Sequence, residues 1–489
     1  MIGSHAIGWL RFAINIEDAL LVLGKTPGRV QVLRASVFLL TLLYSTGLIS
    51  APLTTNQKRE IDVTVIRILN AAEVPSASIA IVTDGKLDYA RAYGDQLLDG
   101  TPATVTARYP MASISKQFTA AALLLLAEDG KVSLDDKVNK YLPTFTDADK
   151  VTIRQLLSHT SGYRDYWPQD YRFEAMTKPT TPQAILDQWA KVPLDFTPGS
   201  KWQYSNTGYV AAGLIAEMVA KEPLFAFEQR RIFKPLGMDV VQSAHGLASS
   251  DPRGSFRYAI GPIHPIGPEE AGWDFAAADL AMAPSELAKW NIARLTRAVL
   301  KPDSWQQQET NVAPADDNRK YGYGLGVGID QVGQHPRIRH DGGFTGYLSA
   351  NRIYPADRAA ISVAINAGFS NSQDAIADAI EAMLFQQTDD TATVRGLYRM
   401  LRDGNVDRRR FTDNGNFYFS ATALADFSAS LGPLGDPKAV ARSELQTLRG
   451  GLTVEQFVFS FTDRKLLATL RADPASGRVE QFTLEPYTD

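Results

Sequence analysis

Ser113-Ile114-Ser115-Lys116, in "MASISKQFTAAALLLLAEDG", sets a hydroxyl and an amine three residues apart at the start of an apolar run. Residues at that spacing share one helix face, so the Lys116 amine can meet the Ser113 hydroxyl, while Ser115 points elsewhere. A neutral lysine can take the serine proton, and the positive end of the helix favours charge developing on the oxygen. Alone the pattern is weak. A chain of this length holds on the order of one S-x-x-K by chance, and an N-cap serine with a solvated lysine is the simpler reading.

Two further motifs follow it. Tyr204-Ser205-Asn206, in "PGSKWQYSNTGYVAAGLIAEMV", lies in a loop just before another apolar helix. The phenol could exchange protons, and the amide could bridge the lysine and a substrate carbonyl. The bland alternative is a packed tyrosine beside a turn asparagine. His340-Asp341-Gly342-Gly343, in "RIRHDGGFTGYLS", places glycines where a strand backbone can approach a ligand and offer an N–H to an oxyanion. A hairpin turn with an exposed histidine would look the same. His159, in "SHTSG", reads more simply as a loop residue than as a second base, and Trp202 and Tyr163 serve equally as pocket lining or as packing.

The elements that must position these residues are readable. Helical periodicity runs over 56–72 with Ile61, Val65, Ile68 and Leu69 on one face. "SIAIVTDGKLDYARAYG" is a strand, an Asp84-Gly85 turn and a second strand. "QFTAAALLLLAEDGKV" is a buried helix closed at Gly130. "YGYGLGVGI", "RIRHDGGFTGYLSANRIY" and "AAISVAINAG" are successive strands, and "SQDAIADAIEAMLF" is a closing helix. The alternating glycines 322, 324, 326 and 328 suit a strand against which something packs closely. Strands at both ends around a helical middle predict one sheet built from the two chain ends, in a layered α/β or α+β fold.

In this order, S-x-x-K, Y-x-N and H-x-G resemble the serine β-lactamase and penicillin-binding-protein superfamily. Within it the chain is most similar to the branch of class C β-lactamases, D-alanyl-D-alanine carboxypeptidases, D-aminopeptidases and related esterases. "TIRQLLSHTSGY", "FTPGSKWQYSNTGY", "PLGM" and "AAADLAMAPSELAKW" resemble that family's connecting segments, and the likeness covers roughly 56–385. It implies a transpeptidase-like antiparallel sheet flanked by helices, with an all-helical subdomain. Ser113 is then the nucleophile, and the N–H groups of Ser113 and Gly343 form the oxyanion hole beside Gly342. Lys116 and Tyr204 together supply the base, with Asn206 on the substrate. A non-hydrolytic penicillin or peptidoglycan sensor that acylates without turnover is the alternative. Many relatives carry K-T-G as the third motif, where this chain has His340-Asp341-Gly342. Losing that lysine weakens the case for β-lactam or D-Ala-D-Ala turnover, and His340 is expected to bond the Tyr204 hydroxyl instead.

Composition narrows the classes further. Lys+Arg 50 against Asp+Glu 54, a net charge of -4, gives no footprint for nucleic acid, and the expected partner is a small-molecule or peptide substrate. The absence of cysteine excludes disulfides, thiolate metal sites and a cysteine nucleophile. H-E-x-x-H and G-x-S-x-G are both absent, and no cofactor or metal is expected. Residues 1–51 read as an N-terminal extension and a signal sequence. Arg34 precedes an apolar run over 37–49, with a cut expected after Ala51 and an exported protein as the result. A retained segment would act as a membrane tether, and residues 1–30 suggest a start codon assigned too early. The hydrolase domain is expected over 56–386, a polar linker over 387–393, and a small α+β domain over 394–489 that resembles the cone-shaped NTF2-like modules. That domain is expected to dock, stabilise or dimerise.

Overall fold

The computed structural model describes residues 52–487 except 170, 315–318, 320, 386–389 and 475. The apolar run over 37–49 and the cut expected after Ala51 lie outside the described residues. Among those described, no helix is long and apolar enough to cross a membrane.

Helix α1 (Thr55–Ala72) starts on a capping box between Thr54 and Gln57 and turns Ile61, Val65 and Leu69 inward. Strands β1 (Ser76–Thr83) and β2 (Lys86–Gly94) then form a hairpin. Both turn residues, Asp84 and Gly85, have positive φ, 47° and 68°, as a two-residue turn matched to strand twist requires. The remaining strands come much later: β3 (Gly322–Tyr323), β4 (Gly328–Val332), β5 (His335–Phe344), β6 (Tyr347–Tyr354) and β7 (Ala359–Ile365). They join the hairpin in one seven-stranded sheet of order β2-β1-β7-β6-β5-β4-β3, with every neighbouring pair antiparallel. The expected sheet from both chain ends is therefore present.

Helix α2 (Lys116–Glu128) and helix α3 (Asn206–Ala220) lie in the helical middle. Every residue from Lys116 to Leu126 is buried, so α2 is enclosed on all sides, which its unbroken apolar run requires. Helix α4 (Pro284–Leu295) covers one face of the sheet through Ala288, against Ala80, Val82 and Ile353. Helix α5 (Ser372–Leu384) joins α1 on the other face, where Ile376 and Ile380 meet Ile61, Val65 and Ile361.

The glycine-rich stretch departs from a continuous strand. Tyr323 instead pairs with Gly328 across a tight turn over 324–327, closed by the Gly324 N–H on the Val327 carbonyl at 2.9 Å, and Gly326 in that turn takes a φ of 75°. A Cβ there would sit 2.7 Å from the Lys116 carbonyl oxygen, so the glycine lets this segment press on the first turn of α2. Close packing is what Gly326 serves, and it falls at the turn between two short strands rather than along one strand.

In the C-terminal region helix α6 spans Asp390–Arg402, beginning inside the stretch read as linker. Its buried face, Val394, Leu397, Tyr398 and Leu401, continues back to a buried Thr391, which draws one more turn into the helix. Helix α7 (Ala421–Leu431) and strands β8 (Ala439–Arg449), β9 (Leu452–Ser460), β10 (Lys465–Ala472) and β11 (Val479–Tyr487) follow. The four strands pair antiparallel in chain order around a core that includes Phe457, Phe459 and Phe482.

Candidate active site

Ser113 stands in a 3₁₀ turn, Ala112–Ser115, that leads into α2. Ala112 has a φ of 49°, a left-handed conformation that costs on the order of 1 kcal/mol or more outside glycine and concentrates at functional sites. The Met111 carbonyl anchors this turn, accepting from the Ile114 N–H at 3.2 Å and from the Ser349 hydroxyl of β6 at 3.0 Å. Ser115 is spent on structure, because its Oγ accepts from the Leu280 N–H at 3.1 Å. The two serines of the motif are thereby separated into one that is free to react and one that is not.

Lys116 is fully buried, with Nζ 3.1 Å from Ser113 Oγ, 2.7 Å from Asn206 Oδ1 and 2.9 Å from the Ala277 carbonyl oxygen. Burial pulls its pKa down to about 7, against the opposing pull of Asp165 and Asp274. A neutral amine has two N–H bonds and one lone pair. Asn206 Oδ1 and the Ala277 carbonyl can only accept, so they take both N–H bonds and the lone pair is left facing the Ser113 hydroxyl. Tyr204 moves the opposite way. Burial raises its pKa well above the ordinary tyrosine value, outweighing a hydrogen bond with Ser113 that pulls it down, so it stands as a neutral phenol. Burial thus moves the two groups in opposite directions, Lys116 toward the neutral amine and Tyr204 toward the neutral phenol.

Ser205 is the N-cap of α3, its hydroxyl accepting from the Gly208 N–H, so Asn206 opens the helix and Tyr204 precedes it. Asp165 sets the Asn206 amide. It accepts from the Asn206 N–H at 3.0 Å and from Asn206 Nδ2 at 3.3 Å, which leaves Oδ1 pointing at Lys116. The Trp167 N–H also donates to Asp165, at 3.2 Å.

Strand β5 brings the third motif alongside. Its pairing with β4 ends at Arg339–Gly328, so one edge of β5 is unpaired by any strand from His340 onward. On the other edge Phe344 and Tyr347 close a two-residue turn and form the hydrogen-bonded pair. The next pair, Gly343–Leu348, is then the non-bonded kind, and the Gly343 N–H points to the open edge. Gly343 is exposed there, as an oxyanion donor must be. Gly342 is buried, and a Cβ on it would lie 2.2 Å from both the Met111 carbonyl oxygen and Ser349 Oγ. Gly342→Ala is therefore expected to lower stability by about 1–3 kcal/mol, read by chemical denaturation, because the strand must back away from the Ser113 turn.

His340 does not bond Tyr204. Its Nε2 is 2.9 Å from the Tyr323 hydroxyl and its Nδ1 is 2.7 Å from the Asp341 carbonyl oxygen, while the Tyr204 and His340 ring centroids stand 6.4 Å apart. The expected bond fails because β3 sets a different tyrosine, Tyr323, on His340 Nε2, while Nδ1 is taken by the Asp341 carbonyl. Burial and then Lys116 lower the His340 pKa to about 3, so the imidazole is neutral.

The structure thus brings Ser113, Lys116, Tyr204, Asn206 and the strand of His340, Gly342 and Gly343 together. It adds Asp165, Tyr323, His159 and the Ala277 carbonyl. Asp165 stands in "YRDYW" with no periodic signal, Tyr323 was masked by the glycines around it, and a backbone carbonyl leaves no trace in sequence. One consequence is directly measurable: kcat/KM for a neutral ester should rise with pH through an ionisation near 7 as Lys116 loses its proton. A profile flat from pH 5 to 9 would contradict this.

Comparison with known proteins gives a consistent picture. Residues 62–384 match the family described as Beta-lactamase. Protein flp of Staphylococcus aureus strain NCTC 8325 is 30% identical over 248 residues, 49% of each chain, so the chain spans about half the length of this relative. The solved structure of a D-stereospecific amidohydrolase from Streptomyces sp. is similar, with a TM-score of 0.58 at 27% identity, and the match covers 66% of this chain and 98% of that one. The octameric penicillin-binding protein homologue from Pyrococcus abyssi matches over 88% of this chain and 96% of its own. Its TM-score is 0.60 at 20% identity, a likeness of fold.

Proposed function

Because the chain belongs to the beta-lactamase family, we propose that it is an exported serine hydrolase that acylates itself on Ser113 and releases the acyl group to water. The observation that carries the reading is the buried Lys116 amine, its Nζ within hydrogen-bond distance of Ser113 Oγ, Asn206 Oδ1 and the Ala277 carbonyl, so that in the neutral form the last two take its N–H bonds and the lone pair faces Ser113. As Ser113 Oγ bonds the substrate carbonyl carbon, its proton passes to Lys116 Nζ. The Ser113 and Gly343 N–H groups hold the resulting oxyanion. When the tetrahedral intermediate collapses, the bond to the leaving nitrogen or oxygen breaks, and that atom takes a proton delivered through Tyr204. Water then adds to the acyl carbon by the same route, giving up its proton to the Lys116–Tyr204 pair, and Ser113 leaves reprotonated.

The substrate we favour is an amide or ester without a carboxylate beside the departing group, of the D-amino-acid amide kind. A neutral His340 stands where a lysine would bind such a carboxylate, and the name of the Streptomyces relative fits this choice. A screen of D-amino-acid amides, p-nitrophenyl acetate, D-Ala-D-Ala peptides and nitrocefin tests it. Repeated turnover is expected, with kcat/KM on amides or esters on the order of 10-fold or more above the carboxylate-bearing substrates. A stoichiometric burst that stops would replace the hydrolase with the sensor, and faster turnover of nitrocefin would overturn the substrate class. For the C-terminal region, helices followed by four antiparallel strands support an NTF2-like docking or dimerising module.

A further inference from the structure

We propose that His159, Tyr323 and His340 form a one-way hydrogen-bond chain, each imidazole with a single allowed tautomer, that positions Tyr204 against the oxyanion strand. The proposal deepens the hydrolase reading and rests on it only for its catalytic consequence.

The chain is fixed from both ends by backbone groups. The Ser205 N–H donates to His159 Nδ1 at 3.1 Å, so that nitrogen carries no hydrogen. His159 Nε2–H must then donate to the Tyr323 hydroxyl oxygen, at 3.1 Å. At the far end the Asp341 carbonyl can only accept, so His340 Nδ1–H donates to it at 2.7 Å. His340 Nε2 is left as an acceptor and takes the Tyr323 O–H at 2.9 Å. The protons therefore have one arrangement, and it satisfies every polar atom of the three side chains, all of them buried.

This path spans three elements that the reaction needs in register. Ser205 follows Tyr204 at the head of α3, Tyr323 is on β3, and Asp341 lies two residues before Gly343 on β5. The His159 ring also lies against the Tyr204 ring, with centroids 4.1 Å apart and planes inclined by 32°. The same link thus holds the phenol that serves Ser113 and the strand whose N–H serves the oxyanion.

The groups facing the chain oppose its protonation. Lys116 acts on both imidazoles and Arg339 on His340, while the Tyr204, Tyr209 and Tyr321 hydroxyls surround Tyr323, and Asp341 supplies its carbonyl. A proton on His159 Nδ1 would confront the Ser205 N–H, and one on His340 Nε2 would confront the Tyr323 hydroxyl. Neither imidazole can act as the base, so both are positioning residues.

Nitrogen NMR of the full chain, labelled with 15N-histidine, reads the tautomers without any substrate. The chain has six histidines. The expected spectrum contains one Nε2–H imidazole and one Nδ1–H imidazole that stay neutral down to pH 5, assigned by their separate loss in His159→Asn and His340→Asn. Tyr323→Phe is expected to shift both signals, let the His340 imidazole titrate toward 6.5, and lower kcat on the order of 10- to 100-fold with KM within about twofold. Both imidazoles in the same tautomer, or both titrating near 6.5 in the unaltered protein, would overturn the proposal. So would a Tyr323→Phe variant with unchanged signals and kcat. If that variant does not fold, the unaltered protein's spectrum alone decides. Locked tautomers in a protein without turnover would sink the hydrolase reading and leave the chain standing.

Discussion

Ser113→Ala should lower kcat/KM on the order of 10⁶-fold and abolish labelling by a fluorophosphonate probe. The size of the effect follows from the geometry. Among the described residues Ser113 is the one hydroxyl hydrogen-bonded to Lys116 Nζ, because Ser115 Oγ lies on the Leu280 N–H and Tyr204 meets Nζ with its ring face, 4.8 Å from the centroid. The Ser113 side chain is also small and anchors no backbone group, whereas Met111 and Ser349 hold the turn around it. The variant should therefore unfold with the wild type, so that lost activity reports chemistry. Equal labelling of both proteins would remove Ser113 from the reaction and the hydrolase reading with it.

Lys116→Met should lower kcat/KM by about 10³- to 10⁴-fold, near the upper end of what one general base supplies. The more informative result is the shape of what remains. Burial sets the Lys116 pKa near 7, so the unaltered enzyme gains activity as pH rises through that value, and the methionine variant should lose this limb. Tyr204→Phe should instead keep the limb while lowering kcat, since the phenol's pKa is driven upward, away from neutral pH. An acid limb that persists near 7 in Lys116→Met and vanishes in Tyr204→Phe would reverse the assignment. Stability has its own sign. A lysine whose folded pKa lies below its unfolded value of 10.5 leaves the unfolded chain binding more protons between about 7 and 10.5. Lys116 should thus make the protein more stable as pH rises across that window, and the methionine variant should be flatter there, as denaturation at several pH values would record.

What could be read from sequence follows the range of the interactions. Ser113 and Lys116 were legible because a three-residue spacing across one helical turn, here a 3₁₀ turn running into α2, sets their distance locally. Tyr204 and Asn206 were legible from motif order, although their division of labour was not, since it depends on a carbonyl at Ala277 and a carboxylate at Asp165 brought from elsewhere. His340 was assigned the wrong partner for the same reason. Its motif says nothing of which of two tyrosines the sheet sets before its ring, and the register of β3 decides for Tyr323. The sheet itself was readable through strands with strong apolar runs. The glycine-rich stretch was not, because glycine reports that something comes close without saying what. Here it is the backbone of Lys116.

The place of β1 in the sheet carries a cost during synthesis. This strand, buried along all eight residues, is flanked by β2 and β7, and its second partner is not made until 359–365. At about 5–20 residues per second, an apolar edge waits unpaired for roughly 15 to 55 s after Thr83 is made. Such an edge can pair with other chains during that interval. Expression rate and holding chaperones should therefore govern the yield of soluble protein more than any active-site residue does.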